Sequence, residues 1–370
     1  MKKTLLITCF FPPQIGGIEN YFHNLCSRME PDKIAVLTQN DQNAKQFDGD
    51  QKYPIYRTEF FDGKFPPRWR SLKGKIKKII KDQGIEQIAF GHFHFFNLLG
   101  PKLGLPYVNF GHGTDIASVG AKFGSKLAFK RVYRSSKAFI ANSQFLAQKI
   151  AELSGDSTKI KTIYGGVDVE ALNIPITDID GKKKLIGLEE NDLVMLSMGR
   201  LVEIKNYSGI IKLMPAILQI IPNLKYVIVG GGPQYLELVE LASHVGVSNN
   251  VKFIGAIPDD PASKSFYYQI AHIFVGISKV PEGLGISYLE AQACRTPVIA
   301  SNSGGAAEAV INGDTGILVD ANNDNEIVKA IISLSQDREL WTKLADSGQK
   351  RMGQVFDLKA QIEKIKEVLN

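Results

Sequence analysis

The feature that most constrains this chain is an alternation of short apolar runs with amphipathic stretches, repeated in two series. Strand-like runs fall at residues 4–10, 34–38, 87–91, 107–110 and 138–141, and again at 193–199, 225–229, 251–253, 273–275 and 297–300. Between them, Ile18, Tyr21, Phe22, Leu25 and Met29 share one face of a predicted helix, and 207–218 and 236–245 behave alike. Strands alternating with helices imply parallel sheets covered on both faces. Two series predict two doubly wound α/β domains, which suits 370 residues. The expected bounds are 1–170, a polar, turn-rich linker at 171–190, and 191–354, with a final helix at 355–370.

Other classes are excluded by composition. A content of 44% hydrophobic and 22% charged residues is that of a globular protein. Mean hydropathy is −0.06 and no apolar run reaches 18 residues, so no spanning helix is expected. The apolar start, 4–11, is short and runs into Pro12-Pro13, which reads as a first buried strand rather than a cleavable signal. Cys9, Cys26 and Cys294 are odd in number and form no C-x-x-C, which supports neither a disulfide framework nor a cysteine zinc site and suits a reducing cytoplasm.

Charge is unevenly placed. Residues 1–180 hold 25 Lys+Arg against 17 Asp+Glu, although the whole chain is only +6. Segments 64–81 and 121–137 are rich in Lys and Arg and contain no acid. Such a face suggests an anionic partner. In 72–80, Leu72, Ile76, Ile79 and Ile80 form an apolar stripe among lysines, with Trp69 just upstream. The stripe fits either an interfacial helix on anionic lipid or a domain helix with a solvated face. No nucleic-acid motif accompanies the charge, so nucleic acid is not expected.

The candidate site residues mostly stand just after strands, where ligands bind in open α/β sheets. Gly16-Gly17, after the first run, suits either a phosphate at a helix N-terminus or a plain turn. Gly199-Arg200, with Lys205 close by, offers a fork and a point charge to one anion. Gly230-Gly231-Gly232 is no dinucleotide fingerprint, since Tyr235 occupies the third glycine position, and no P-loop occurs. Glu282 and Glu290 bracket seven residues, one in a loop and one inside the following helix. Carboxylates accept from sugar hydroxyls, and the N–H groups of Gly285, Ile286 and Ser287 would face an anion. His92, His94 and His112 follow two strands and fit a cleft wall or a packed core; no third metal ligand is evident, and no metal is expected.

Taken together, these motifs resemble the family-4 retaining glycosyltransferases, with the GT-B fold of two facing Rossmann-like domains. The resemblance runs along nearly the whole chain. It is carried by residues 13–19, 111–115, 165–168, Gly199-Arg200-Leu201 with Lys205, the E-x7-E pair Glu282 and Glu290, and Ser303-Gly304-Gly305 with Glu308. Gly165 stands where Asn is more usual, and Leu284 where Phe is common.

The resemblance implies transfer of a hexosyl unit from a GDP- or UDP-sugar to a lipid-linked glycan or other cell-envelope acceptor, with no metal. Arg200 and Lys205 would neutralise the leaving diphosphate, and that phosphate would take the acceptor proton on the front face. Glu282 would hold sugar hydroxyls, Glu290 the ribose, Gly17 the diphosphate and His112 the transferred sugar. His92, His94 and Asp115 would line the acceptor side or the cleft wall. The resemblance also implies a C-terminal helix returning to the first domain and a cytoplasmic protein, peripheral on the inner membrane face. A sugar-nucleotide-binding scaffold and a GT-B epimerase are the competing readings.

Overall fold

The computed structural model describes residues 1–60, 69–120, 124–258 and 260–370, with only the backbone of residues 69 and 70. The chain gathers into two units: Met1–Gly165 together with Lys359–Asn370, and Gly166–Leu358.

In the first unit the apolar runs form a parallel sheet. Its strands are β1 (Thr4–Ile7), β2 (Ile34–Gln39), β3 (Ile55–Thr58), β4 (Gln87–Phe90), β5 (Tyr107–Gly111), β6 (Ala138–Ala141) and β7 (Ile160–Thr162). Their order is β3-β2-β1-β4-β5-β6-β7. Thr4 stands opposite both Ile34 and Gln87, so β1 is central. Its residues are buried without alternation, as a sheet covered on both faces requires. Strand order reverses between β1 and β4, and this crevice is where such sheets bind ligands.

The second unit repeats the plan. Its strands are β8 (Leu193–Met198), β9 (Leu224–Val229), β10 (Val251–Gly255), β11 (Ile273–Gly276), β12 (Val298–Ser301) and β13 (Gly316–Val319). The order is β10-β9-β8-β11-β12-β13, all parallel, with the reversal between β8 and β11. Each unit has its own apolar core.

Two expectations meet the structure here. The lysine-rich helix Trp69–Gln83 turns its stripe inward: Leu72, Ile76 and Ile79 are buried in the first core and Ile80 packs against it. That stripe is therefore not available to a bilayer. Of the basic residues in these segments, Lys64, Arg68 and Lys122 lie outside the described residues, as do the side chains of Trp69 and Arg70.

The stretch 171–190, expected as a linker, is built into the second unit. It includes the helix Ile179–Leu185, and the Leu172 carbonyl accepts from Ser265 Oγ (2.7 Å) and Gln269 Nε2 (3.0 Å). The last helix, Leu358–Val368, buries Ile362 and Ile365. Gln87 Nε2 donates to the Leu369 carbonyl, and Lys137 Nζ to that of Val368 (3.0 Å).

Candidate functional site

At the reversal of the second sheet, the loops after β8 and β11 are tied together. Ile204 O accepts from Ser278 Oγ (2.9 Å) and from the Lys279 N–H (2.8 Å). This brings two predicted residues into contact: Lys205 Nζ lies 2.9 Å from Glu282 Oε2. The pair is partly open, with side chains 30% and 16% exposed. Arg200, on the same post-β8 loop, is exposed. The glycine turn at 230–232 is explained by packing, since a Cβ on Gly230 (φ 144°) would overlap the Gly199 carbonyl.

The Glu282 backbone is held from the β12 side. Its carbonyl accepts from the Gly305 N–H (2.9 Å), and a Cβ on Gly305 would overlap Gly283. Gly285, at φ 87°, then starts the helix Ile286–Ala293, whose first N–H groups have no partner within the helix. Behind the ion pair is a cavity of about 20 Å³, bordered by Lys205, Tyr207, Tyr226, Glu282, Ser287 and Tyr288. The Tyr288 hydroxyl stands 3.2 Å from Glu282 Oε1 and 2.8 Å from Gly276 O. Burial, and then the Glu282 charge, push its pKa far up, so it stays a neutral donor.

Glu290 does not join this constellation. It is buried, and its oxygens are engaged by Lys264 Nζ and Tyr268 Oη, both at 2.7 Å, from the helix Pro261–Ile270. Lys264 is itself buried. Neither partner was foreseen, because the contacts span 26 and 22 residues and carry no local motif.

In the first unit, Gly16 caps the helix Gly17–Ser27. A Cβ on Gly17 would meet no described atom within 4 Å, so packing inside the unit does not demand glycine there. Asp115 joins the loops after β4 and β5: Oδ1 accepts from the N–H groups of His112 and Gly113 and Oδ2 from that of Phe93, each at 3.0 Å. His112 Nε2 lies 2.9 Å from Gly91 O; a carbonyl only accepts, so that nitrogen carries the proton. Its ring packs edge-on against Tyr21 and Phe22, and this burial lowers its basicity against the opposing pull of Asp115.

His92 is a packed core histidine, 4% exposed, against Phe10 and Phe96. Burial pushes its pKa down to about 4. His94 stacks on Phe96. The three cysteines are free and buried. Among the described residues no group of three His, Cys, Asp or Glu is placed to hold a metal ion, and no helix is long and apolar enough to cross a membrane.

Comparison with known proteins places the fold in a family. Residues 178–351 match the family described as Glycosyl transferases group 1, and residues 15–171 match Glycosyltransferase Family 4. A GDP-mannose-dependent monoacylated alpha-(1-6)-phosphatidylinositol monomannoside mannosyltransferase of Corynebacterium glutamicum is 30% identical over 354 residues, covering 91% of this chain and 89% of that protein. A GDP-mannose-dependent alpha-(1-6)-phosphatidylinositol monomannoside mannosyltransferase of Mycolicibacterium smegmatis is 28% identical over 347 residues, covering 90% and 89%. Anabaena Alr3699/HepE, solved in complex with UDP and glucose, shares the fold with a TM-score of 0.84 at 22% identity over 99% of both chains. The chain therefore belongs to the group 1, family 4 glycosyltransferases, enzymes that draw on nucleotide sugars, and has their GT-B fold.

Proposed function

We propose that this enzyme is a retaining, metal-independent hexosyltransferase that moves a sugar from a nucleoside diphosphate to a hydroxyl of a lipid-linked glycan. The observation that carries the proposal is the Lys205–Glu282 pair at the strand-order reversal, with Arg200 exposed on the same loop. Two cations stabilise the charge that develops on a leaving diphosphate, the service a divalent metal gives elsewhere. Glu282 accepts hydrogen bonds from hydroxyls of the sugar, and the N–H groups at Gly285, Ile286 and Ser287 face the phosphates. Glu290 is assigned to the ribose, with Lys264 and Tyr268 setting its orientation. Gly16 and Gly17 are assigned to the diphosphate. His112 is assigned to the transferred sugar through Nδ1, the nitrogen left unprotonated when Nε2 donates to Gly91 O. The leaving phosphate takes the acceptor proton on the same face, and the anomeric configuration is kept.

GDP-mannose is the donor to try first, because it is the one named for relatives aligned over about nine-tenths of both chains; UDP-glucose is second. The same relatives' names support a phosphatidylinositol-linked acceptor. The contact with the membrane is proposed as electrostatic. It uses the exposed Lys77, Lys78 and Lys81 together with Lys126, Lys130, Arg131 and Arg134 on the helix Ser125–Ser135, where Leu127 is also exposed.

The test is transfer from these donors to a mannosylated phosphatidylinositol in the presence of EDTA, with the anomer read by NMR. Turnover under chelation with an α-linked product is expected. A β-linked product, or dependence on added Mg²⁺, sinks the mechanism. Arg200→Ala combined with Lys205→Ala should abolish transfer while thermal unfolding stays cooperative; near-normal turnover in that variant overturns the assignment.

A further inference from the structure

Lys205 has two claims on it. Its ammonium is bonded to Glu282 at 2.9 Å, yet the proposed function sends it to the donor's diphosphate while Glu282 accepts sugar hydroxyls. We infer that Glu282 and the diphosphate compete for Lys205, and that Tyr288 is the positioning residue that takes hold of Glu282 when Lys205 leaves. The inference deepens the proposed function and rests on it.

Three observations carry it. First, the ion pair is partly solvated, at 30% and 16% exposure, and such pairs are weak enough for a multiply charged anion to break. Second, the Glu282 backbone cannot follow Lys205. Its carbonyl is bonded to the Gly305 N–H at 2.9 Å, so only the partner of the carboxylate changes.

Third, Tyr288 is a spare donor already in place. Its ring is 1% exposed and lies between Gly276 and Gly285, where a Cβ on either glycine would overlap it. The ring therefore has no room to swing away. Its hydroxyl has one proton and two acceptors, Gly276 O at 2.8 Å and Glu282 Oε1 at 3.2 Å. With Lys205 on the carboxylate, the proton goes to the nearer carbonyl. When Lys205 turns to the diphosphate, rotation about the C–O bond gives the proton to Glu282, with no movement of the ring.

The experiment is calorimetric titration of the full chain with GDP and with UDP, without acceptor. The proteins are wild type, Glu282→Gln, Lys205→Met, Tyr288→Phe, Glu282→Gln/Lys205→Met and Glu282→Gln/Tyr288→Phe. Glu282→Gln should bind nucleotide roughly threefold to fivefold more tightly, because the amide releases Lys205, even though transfer falls. In the Lys205→Met background that gain should vanish.

Tyr288→Phe should weaken binding, and its loss should vanish in the Glu282→Gln background. Unchanged or weaker binding by Glu282→Gln overturns the exchange. So does a gain that persists without Lys205, which is like-charge relief alone. A Tyr288→Phe loss that persists beside Glu282→Gln reduces Tyr288 to packing and overturns its role. Failure of wild type to bind either nucleotide overturns the proposed function itself, and the exchange with it.

Discussion

Glu282 and Glu290 show how far a motif fixes a residue's surroundings. Glu282 meets Tyr288 six residues on, in the helix that follows, but its partner Lys205 stands 77 residues away. The buried Lys264 and Tyr268 around Glu290 come from another helix, and no spacing rule reaches them. Removing one partner of a buried pair strands a charge. Lys264→Met should therefore cost about 3 kcal/mol in urea unfolding. Replacing both members, as Lys264→Met with Glu290→Leu, should cost much less, because no charge is left unpaired.

His92 gives a pH signature. Burial holds its folded-state pKa at about 4, below that of the unfolded chain. Between about pH 6.5 and 4 the unfolded state binds a proton there that the folded state refuses, so stability falls as pH falls. The contribution is at most about 1.4 kcal/mol per pH unit. Urea midpoints measured from pH 7 to pH 5 should fall less steeply for His92→Asn than for wild type.

Among the strands of the described residues, ten were legible and three were not. The three missed, β3, β7 and β13, all lie at sheet edges. Arg57 in β3 and Lys161 in β7 interrupt the apolar run that marks a strand covered on both faces, whereas β13 is apolar but only half-buried at its centre. Lys161, in the three-residue β7, is exposed. The fourth edge, β10, was found but two residues short.

The helix Trp69–Gln83 shows a second limit. Periodicity reveals an apolar face but not what covers it, and here the cover is the first unit's own core. Ile76 is fully buried there. Ile76→Ala should destabilise by about 2–5 kcal/mol, measured by chemical unfolding. Its effect on vesicle binding under native conditions should be nil, whereas an interfacial helix would lose affinity.

At the scale of the whole molecule, the uneven charge predicts a salt-sensitive membrane contact. Each basic residue near an anionic surface contributes about 1 kcal/mol at most. Reversing Lys77, Lys78, Lys130 and Arg131 to Glu should abolish sedimentation with phosphatidylglycerol vesicles at low salt. Phosphatidylcholine vesicles should bind neither protein. Binding that survives the reversal, or that ignores salt, excludes an electrostatic contact.

The return of Lys359–Asn370 to the first unit has a consequence for biosynthesis. The residue whose carbonyl holds Gln87, Leu369, leaves the ribosome 282 residues after it. Translation runs at about 5–20 residues per second, so β4 waits roughly ten seconds to a minute for Leu369. Throughout that interval the nascent first unit lacks its closing helix, and apolar surface that Ile362, Ile365 and Leu369 later bury stays open to chaperones and to neighbouring chains.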